Sequence, residues 1–498
     1  MNAVDLQVMA GALRAACEEM GAVLVRSAHS ANIKERRDCS TALFDARGEM
    51  VMQAEHIPVH LGAMPAAVAA VLGERHRPGV SWVLNDPYRG GTHLPDVTVI
   101  TPAFDAAGAL LGFAASRAHH ADVGGRQPGS MPADSTTLDE EGVVIAPRVL
   151  DDAAIDELVA LMRAPDQRRA DLRAQLAANR VGVRRMEAID AAALREAMAE
   201  VLDYSERRMR ACLAALEDGV REAADVLEAR EGDLGLRLRA TVDGERLLLD
   251  FSGSAAQHAG NLNCPLAVTR SACYFAVRVL TDPDIPPTAG AYRPIEVLAP
   301  GGSLLNARPP AAVVGGNVET SSRVADLVLA AFGRALGQGT MNNVTLGADP
   351  VAGPVSGAPA WTYYETLGGG QGACPDADGP SAVHVAMSNT LNTPVEALEM
   401  EFPLRVVEYS VRRGSGGAGR FRGGDGVVRE LEALADMRYS VLAERRRHAP
   451  PGAAGGEPGA RGRTLLDGAE LEPKAIGTLR AGQRLRLETP GGGGHGAP

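Results

Sequence analysis

Aromatic residues and closely paired cysteines are both scarce in this chain of 498 residues. Phe, Trp and Tyr make up 4% of the sequence, so the core has to rest mainly on Ala, Val and Leu. The six cysteines are irregularly spaced, and none forms a C-x-x-C pair. A disulfide framework or a cysteine-ligated zinc site is therefore not indicated.

Long apolar runs and a secretory leader are also missing. The sequence contains no run of about 18 apolar residues, which a membrane-spanning helix would need. Its N-terminal segment lacks a basic stretch followed by an uninterrupted apolar stretch, so it does not read as a signal peptide. These absences predict a cytoplasmic protein without a membrane partner.

Basic residues are fewer than acidic ones, so the formal net charge is −12 and the pI is about 5.5. Phosphate contacts dominate non-specific nucleic-acid binding, so an acidic chain is not expected to have a nucleic-acid partner. The short basic run at residues 445–447 indicates a solvated face or a cluster of ion pairs.

Phosphate-binding loops and a serine nucleophile elbow are absent as well. Several segments are rich in glycine, such as residues 314–320 and 366–373, but none matches GxxxxGK[ST] and none is a convincing GxGxxG. No GxSxG motif occurs, so a serine hydrolase is not indicated. We therefore assign no nucleotide-binding residues to this chain.

The pattern that is present alternates between helix and strand. Apolar residues at helical spacing predict a helix over residues 4–29, and Pro65 begins a second helix over residues 65–76. Residues 38–53 predict a hairpin that turns at residues 45–48, and Asp243-Gly244 predicts another within residues 236–253. Residues 151–228, rich in Ala, Leu, Arg and Glu, predict two or three long helices.

The length predicts more than one domain. We predict a multi-domain α+β fold with mixed sheets, a helical middle segment and a β-rich C-terminal domain. The predicted parts are an N-terminal α/β region over residues 1–150, a helical segment over 151–230, a mixed α/β region with glycine-rich pocket loops over 231–400, and the β-rich domain over 401–498.

Histidine and aspartate are concentrated at the ends of two predicted strands. His93 and Asp96 stand beside one strand, and His119, His120 and Asp122 follow another. If the strands are neighbours, two imidazoles and one carboxylate converge into a set that suits Zn, Mn or Fe with open positions. A structural role for the same residues is the alternative.

His119 and His120 face opposite sides if they lie in a strand, so at most one is an obvious metal ligand. The other could donate a hydrogen bond, act as an acid or base, or simply fill space. Asp122 could orient an imidazole. We therefore give His120 and Asp122 as candidate catalytic residues.

Three further groups of polar residues are candidates for a pocket. Glu55 belongs to a segment with His56 and His60, where Pro58 argues against a regular helix and a structural role is favoured over a substrate contact. Asn317 and Glu319 lie in the segment GGNVETS and are further candidate substrate contacts.

Glu365 follows aromatic residues and precedes three glycines, so it is a candidate catalytic acid, base or anchor. An ordered loop carboxylate that accepts backbone hydrogen bonds is an equally good interpretation of Glu365.

Several long segments of the chain stand out together, among them SANIKERRDCSTALFDARGEMVMQAEHIPVHLGAMP, NDPYRGGTHLPDVTVITP, SRAHHADVGGRQPGSMP, RPPAAVVGGNVETSSRV, YYETLGGGQGA and GSGGAGRFRGGDGVVRE. These segments resemble the hydantoinase B/oxoprolinase family. The resemblance extends over nearly the whole chain, from about residue 4 to residue 496.

The resemblance implies a B-type subunit of an ATP-dependent cyclic amide hydrolase. In such complexes a separate A-type chain or domain binds ATP and phosphorylates the carbonyl oxygen of a hydantoin, 5-oxoproline or related lactam. The family's metal pattern, carried onto this sequence, falls on His93, Asp96 and His119, with His120 as a lesser candidate. The implied partners are the A-type subunit and a small cyclic amide, and the implied cofactor is Zn, Mn or Fe.

Two alternatives remain at this point. The chain could be a subunit of an acetone or acetophenone carboxylase-like ligase, which would depend on bicarbonate. It could also be a non-catalytic scaffold that keeps the fold without the site.

Overall fold

The structure is a computed structural model that describes residues 1–55, 57–348 and 360–498. It confirms the predicted α+β class, with helices and several separate sheets along the chain. The helices are α1 (Ala3–Ser27), α2 (Ala31–Lys34), α3 (Ala63–Ala69), α4 (Asp152–Val159), α5 (Pro165–Glu187), α6 (Ala191–Ala214), α7 (Leu266–Leu280), α8 (Ala289–Tyr292), α9 (Ser321–Ala331) and α10 (Val395–Glu401).

The strands are numbered in chain order and spread over the whole sequence. In the N-terminal half they are β1 (Cys39–Asp45), β2 (Met50–Glu55), β3 (Ser81–Leu84), β4 (Asp96–Phe104), β5 (Leu110–His119), β6 (Arg148–Leu150), β7 (Gly219–Ala229), β8 (Gly232–Asp243) and β9 (Arg246–Asp250). In the C-terminal half they are β10 (Ile295–Leu298), β11 (Asn343–Ala348), β12 (Trp361–Glu365), β13 (Leu404–Arg412), β14 (Gly426–Ala433), β15 (Met437–Leu442), β16 (Arg463–Leu466), β17 (Ala469–Glu470), β18 (Lys474–Leu479) and β19 (Arg484–Glu488).

The N-terminal sheet has the order β2-β1-β5-β4-β3-β6 and includes the predicted hairpin of β1 and β2. Its turn is anchored by Asp45, whose carboxylate accepts hydrogen bonds from the backbone N–H groups of Arg47 and Glu49. The adjacent β4 and β5 are antiparallel. This pairing brings the ends of the two histidine-bearing segments together.

Helices α1 and α5 pack against one face of the N-terminal sheet. The helix α1 begins at the cap residue Asn2, whose side chain accepts from the backbone N–H of Asp5. Its apolar residues at helical spacing are buried against alternate residues of β1 and β5. The buried residues of α1 are Leu6, Leu13, Ala16, Cys17, Met20, Gly21 and Leu24.

The second sheet has the order β10-β9-β8-β7, and it contains the predicted Asp243-Gly244 hairpin between β8 and β9. The prediction that the helical pattern continues to residue 228 is wrong, since Gly219–Ala229 is a strand. Although its composition suits a helix, this segment pairs with β8 along its full length, from Gly219↔Val242 to Ala229↔Gly232. Cross-strand pairing outweighs intrinsic propensity here.

Two further sheets are formed mainly by the C-terminal strands, with the orders β12-β11-β15-β18 and β13-β14-β19-β16-β17. They confirm the strand character predicted for residues 402–489. The helix predicted over residues 65–76 is shorter than expected, because α3 ends at Ala69 and the following turns are closed by bonds such as Val71 N to Val68 O. In the part of the chain that the structure describes, no helix is both long and apolar enough to cross a membrane.

Candidate metal and catalytic site

The site is built on the register of β4 and β5. The first residue of β4, Asp96, stands directly opposite His119, the last residue of β5. Directly opposed residues of an antiparallel pair project from the same face of the sheet. Next along the strands, Thr98 stands opposite Arg117 on that same face. The register therefore joins the two predicted ligands Asp96 and His119.

One carboxylate oxygen of Asp96 is the centre of a small cluster. Asp96 Oδ2 accepts a hydrogen bond of 2.5 Å from the Thr92 hydroxyl. It lies 3.0 Å from His93 Nδ1 and 3.4 Å from His60 Nε2. All four side chains are buried. We call His60, His93, Asp96 and His119 the histidine cluster.

His60 enters the cluster from a short 3-10 turn, Pro58–His60, which agrees with the expectation that Pro58 prevents a regular helix. The other ring nitrogen of His60, Nδ1, lies 2.9 Å from the Ser40 hydroxyl on β1. Ser40 thus orients the imidazole of His60, whose other nitrogen faces Asp96.

His119 is held at one ring nitrogen and on its flat face. Its Nδ1 lies 3.0 Å from the amide nitrogen of Asn32 on α2. Its ring stacks on Tyr364 of β12, with centroids 4.5 Å apart and planes 7° from parallel. The His93 and His119 rings are 5.1 Å apart. His119 Nε2 is buried and has no hydrogen-bond partner among the described residues.

Burial and mutual charge set the protonation of the cluster. Burial would raise the pKa of Asp96, but His93 and His60 beside it hold that pKa well below its usual range. Burial, reinforced by His93, holds the pKa of His119 well below its usual range. Burial also lowers the pKa of His60. The cluster therefore combines an ionised carboxylate of Asp96 with neutral imidazoles of His60 and His119, which is the protonation state that metal ligands need.

A second carboxylate, Asp38, lies just before β1 and is also buried. Burial raises its pKa to about 7, with the Arg36 guanidinium acting in the opposite direction and Asp96 adding to the rise. The backbone carbonyl of Asp38 accepts a hydrogen bond from His119 N–H. Two carboxyl groups with such different pKa values can divide acid and base roles between them.

The atom types of these residues suit a divalent metal ion, but the described side chains are not assembled into a formed metal site. The predicted ligands each carry a buried atom without a hydrogen-bond partner in the described structure, namely His93 Nε2, Asp96 Oδ1 and His119 Nε2. Buried polar atoms are normally satisfied, so three unfilled ones in one cluster leave coordination capacity. Among the described residues, no group of three or more His, Cys, Asp or Glu side chains already stands in an arrangement that could hold a metal ion.

His120 lies on the opposite face of the sheet. Its Nε2 is 3.0 Å from the Gln175 side chain on α5. Gln175 also donates to the carbonyls of Val97 and Ser116, so it ties the helix to the sheet. The alternation expected from the sequence thus separates the two adjacent histidines, with His119 in the cluster and His120 against α5.

Asp122 is occupied by the loop that follows β5. It accepts hydrogen bonds from the backbone N–H groups of Gly124 at 2.8 Å and Gly129 at 2.7 Å. It also forms an ion pair of 3.1 Å with Arg163. The structure therefore places this candidate catalytic residue in a loop-closing role, with partners outside the histidine cluster.

Glu365 projects from the face of β12 opposite to Tyr364, because neighbouring strand residues alternate. Its Oε1 accepts from the backbone N–H of Thr393 at 3.0 Å, and its Oε2 lies 3.5 Å from Arg429 Nε. It is fully buried. The structure brings Tyr364, and not this candidate catalytic carboxylate, against His119.

The candidate substrate contacts are distributed differently. Asn317 and Glu319 lie in a short π-helical turn, Gly316–Thr320, and both are buried. Asn317 Oδ1 has no hydrogen-bond partner in the described structure. Glu319 Oε1 accepts from Met341 N–H and from the Asn343 side chain. His56 and the side chain of Glu55 lie outside the described residues.

Several residues that shape the site carry little signal in the sequence. Local patterns do not single out Asn32, Thr92, Arg36 or Asp38, although Thr92 is the neighbour of His93 and the others lie in one segment matching the family. Local sequence patterns also favour Glu365 as a site residue over its neighbour Tyr364. Only the pairing of β12 into a sheet beside β11 shows which of the two faces His119.

Comparison with known proteins places this chain in a family. A family model described as hydantoinase B/oxoprolinase matches residues 2–498. The 5-oxoprolinase 1 of Arabidopsis thaliana is 39% identical, over 100% of this chain and 42% of that protein. The putative B-type subunit of a D-/L-hydantoinase of Pseudomonas sp. is 30% identical, over 100% of this chain and 90% of that protein.

A solved structure shares the architecture over the whole of this chain. The ATP-dependent caprolactamase from Pseudomonas jessenii superposes with a TM-score of 0.92 at 28% identity, covering 100% of this chain and 92% of that chain. By contrast, this chain spans only about two fifths of the length of the 5-oxoprolinases that it matches. The match along the whole sequence and the shared architecture show that this chain belongs to the hydantoinase B/oxoprolinase family.

Proposed function

We propose that this chain is the B-type part of an ATP-dependent cyclic amide hydrolase that opens a lactam or hydantoin ring. The observation that carries the proposal is the buried histidine cluster, in which donor atoms of His93, Asp96 and His119 have no partner among the described residues. The family and the likeness to an ATP-dependent caprolactamase support the reaction class.

The ATP-dependent step belongs to an A-type partner chain or region in this proposal. The sequence has no phosphate-binding loop. The 5-oxoprolinases that match are more than twice as long as the matched region, so they have room for such a region in the same chain. The hydantoinase relative is itself named as a B-type subunit, which supports a two-chain arrangement.

Ring amides are poor electrophiles because resonance stabilises them, so the partner's phosphorylation of the carbonyl oxygen would supply a leaving group. A divalent ion held by His93, Asp96 and His119 would act as a Lewis acid and lower the pKa of a bound water. Asp96 contributes the negative charge, since its pKa lies well below the usual range. Thr92 and Asn32 orient Asp96 and His119.

Burial of the cluster keeps bulk water away from the activated substrate. The exposed fractions of His93, Asp96 and His119 are 1%, 1% and 2%. Such a site strengthens electrostatic interactions and protects a reactive intermediate from side reactions. In this proposal the buried amide oxygen of Asn317 is available to a ring N–H of the substrate.

Metal content is the first test of the site. Elemental analysis of the purified chain should find about one Zn, Mn or Fe ion per molecule, the stoichiometry of a single catalytic site. The His93→Ala variant should lose the ion, and the His120→Ala variant should keep it. Loss of the ion in His120→Ala with retention in His93→Ala would contradict the ligand assignment.

Turnover is the test of the reaction. The chain, combined with its A-type partner and ATP, should open at least one of 5-oxoproline, hydantoin or caprolactam, with ADP formed in step with ring opening. Turnover of a ketone that requires bicarbonate would identify a carboxylase-like ligase instead. An assembled complex that hydrolyses ATP with neither substrate class consumed would favour the non-catalytic scaffold.

A further inference from the structure

Tyr364 is contacted on its ring, at its backbone carbonyl and at its hydroxyl. His119 stacks on its ring at 4.5 Å, and the Arg36 guanidinium also lies over the ring, 4.7 Å from the centroid. Arg36 in turn donates to the Tyr364 carbonyl at 3.1 Å. The Tyr364 hydroxyl donates a hydrogen bond of 2.7 Å to Asn343 Oδ1. Both the face and the tip of the ring are therefore fixed.

Asn343 connects this ring to a second buried carboxyl group. Its Nδ2 donates to Glu319 Oε1 at 3.1 Å while its Oδ1 accepts from Tyr364. A side-chain amide has distinct donor and acceptor ends. Turning the Asn343 amide over would set its oxygen against the Glu319 oxygen, so Glu319 determines which end meets Tyr364.

Glu319 is placed where an ordinary helix would not place it. It lies in the π-helical turn Gly316–Thr320, immediately before α9, and it is fully buried. π-helical turns are rare and are frequent at functional sites. Glu319 Oε2 has no hydrogen-bond partner among the described residues. The hydrogen bonds that Glu319 accepts at Oε1 come from Met341 N–H and from the Asn343 side chain, so this carboxyl group is directed at Asn343.

We propose that Glu319 is a positioning residue for the histidine cluster, acting through Asn343 and Tyr364 on the imidazole of His119. The carboxyl group orients Asn343, Asn343 holds the Tyr364 hydroxyl, and the fixed ring sets the plane of His119 and the direction of its free Nε2. This role differs from the direct substrate contact predicted for Glu319 from the sequence. The inference rests on the proposed function, since it assigns Glu319 a part in that same site.

Steady-state kinetics of four variants test the inference. Glu319→Ala and Tyr364→Phe should each lower kcat about tenfold, the lower end of the range for removing groups that orient metal ligands. The KM for the lactam should stay within about twofold of wild type, because no substrate contact is removed. The double variant should be no slower than the slower single variant, and Glu319→Gln, which keeps an acceptor for Asn343, should restore most of kcat.

A second measurement does not depend on activity. The histidines are labelled at 13Cε1 and their NMR resonances are compared, with the His119 signal assigned by its loss in His119→Gln. Tyr364→Phe and Glu319→Ala should both shift that signal. Asp326→Asn is the matched control, because Asp326 is a buried carboxylate on the adjacent helix α9 that pairs with Arg445 instead of Asn343. It should leave the His119 signal in place.

The two measurements separate failure of the inference from failure of the proposed function. Wild-type protein without ring-opening activity would overturn the proposed function, while the NMR comparison would still decide the role of Glu319. Additive losses of kcat, a large rise in KM, or a His119 signal unmoved in folded Glu319→Ala would each overturn the positioning role.

Discussion

Two buried polar regions of this molecule handle their charges in opposite ways. One is the histidine cluster. The other, which we call the Glu444 network, joins Glu228 and Glu444 to Arg323, Lys474 and the backbone of residues 446–448. Both regions are almost fully removed from solvent. Burial alone therefore does not distinguish them.

The carboxylates of the Glu444 network are fully engaged. Glu228 accepts hydrogen bonds from the backbone N–H groups of Arg446, Arg447 and His448, at 2.9, 2.8 and 2.8 Å. Both oxygens of Glu444 accept from Glu228 N–H, and Lys474 and Arg323 pair with it. In the histidine cluster, by contrast, His93 Nε2, Asp96 Oδ1 and His119 Nε2 have no hydrogen-bond partner among the described residues.

We infer that this difference between the carboxylates separates a structural polar region from a functional one, although Arg323 Nε of the Glu444 network is also buried without a partner among the described residues. A buried carboxylate whose oxygens are engaged holds elements together, here β7, α9, β18 and the segment that follows β15. A buried cluster with unfilled donor atoms is unfavourable in isolation. Such a cluster persists because the surrounding fold holds it, and it gains its missing partners when a ligand binds.

The largest expected effect is on the stability of the Glu444 network. Replacing Glu444 by Gln leaves Lys474 and Arg323 buried without their shared carboxylate. Breaking a buried ion pair from one side costs about 3–5 kcal/mol. Urea unfolding should show a loss of this size in the free energy of unfolding. A loss below about 1 kcal/mol, the range of exposed pairs, would mean that the network is not what holds these elements together.

The next effect falls on activity. Asp96→Asn should lower kcat/KM roughly 100-fold, because it removes both the charge and a donor of the histidine cluster. It should also lower the free energy of unfolding by about 1–3 kcal/mol, because Asp96 Oδ2 accepts from Thr92 and lies beside His93 and His60. Turnover with the A-type partner and urea unfolding of the same preparation measure the two effects.

Asp122→Asn is the matched control for that prediction. Asp122 bonds to Gly124, Gly129 and Arg163, so its variant should lose about 1–3 kcal/mol of stability while the folded molecules keep their activity. A large loss of activity in folded Asp122→Asn would instead support the catalytic role predicted for Asp122 from the sequence. It would also erase the contrast between the two aspartates.

Local patterns allowed much of the fold to be predicted. The hairpins at residues 45–48 and at Asp243-Gly244 follow from turn chemistry, and α1 follows from its apolar spacing. The strand β7 could not be predicted from its composition, because its pairing with β8 outweighs its helical propensity. The basic run at residues 445–447 contributes to buried ion pairs, one of the two interpretations that the sequence left open.

The candidate site was predictable only where its residues are close in the sequence or on paired strands. His93, Asp96 and His119 follow from two neighbouring strand ends and from the family resemblance. Only the alternation of side chains along a strand distinguished His120 from His119 in the sequence. Tyr364 is distant from His119 along the chain, and its stacking depends on how separate sheets pack. No local pattern carries that information.

A smaller effect links the two regions through pH. Burial, with Glu444 adding to it, raises the pKa of Glu319 to about 7. In the unfolded chain the carboxyl ionises near its usual pKa of about 4.3. The contribution of Glu319 to the free energy of unfolding is therefore fully present below its unfolded-state pKa. It is lost as pH rises toward 7, because the unfolded state releases the proton first. Burial would raise the pKa of Asp225, but Arg323 and Arg445 lower it to about 2. The contribution of Asp225 to stability therefore has the opposite pH dependence and is lost at acid pH.

Glu319→Gln should remove this dependence. The free energy of unfolding of the variant, relative to wild type, should rise by about 2 kcal/mol between pH 4.5 and pH 7 and be flat below. Urea unfolding at a series of pH values measures the difference. Parallel pH profiles for the two proteins would show that Glu319 is ionised in the folded state, and that its burial is balanced by neighbours such as Lys474.

The smallest effect is expected at an exposed ion pair of equally good geometry. Arg148 donates to both oxygens of Glu157, at 3.1 and 2.8 Å, which is the bidentate arrangement that favours a strong interaction. Both side chains are hydrated, with exposed fractions of 40% and 62%, so water and salt screen the attraction. Arg148→Ala should therefore leave the free energy of unfolding unchanged within error, and added salt should not alter that result. If Arg148→Ala destabilised the protein as much as Glu444→Gln does, geometry rather than burial would govern both pairs. The cluster atoms without hydrogen-bond partners would then no longer be evidence of function, because burial would not make the missing partners costly.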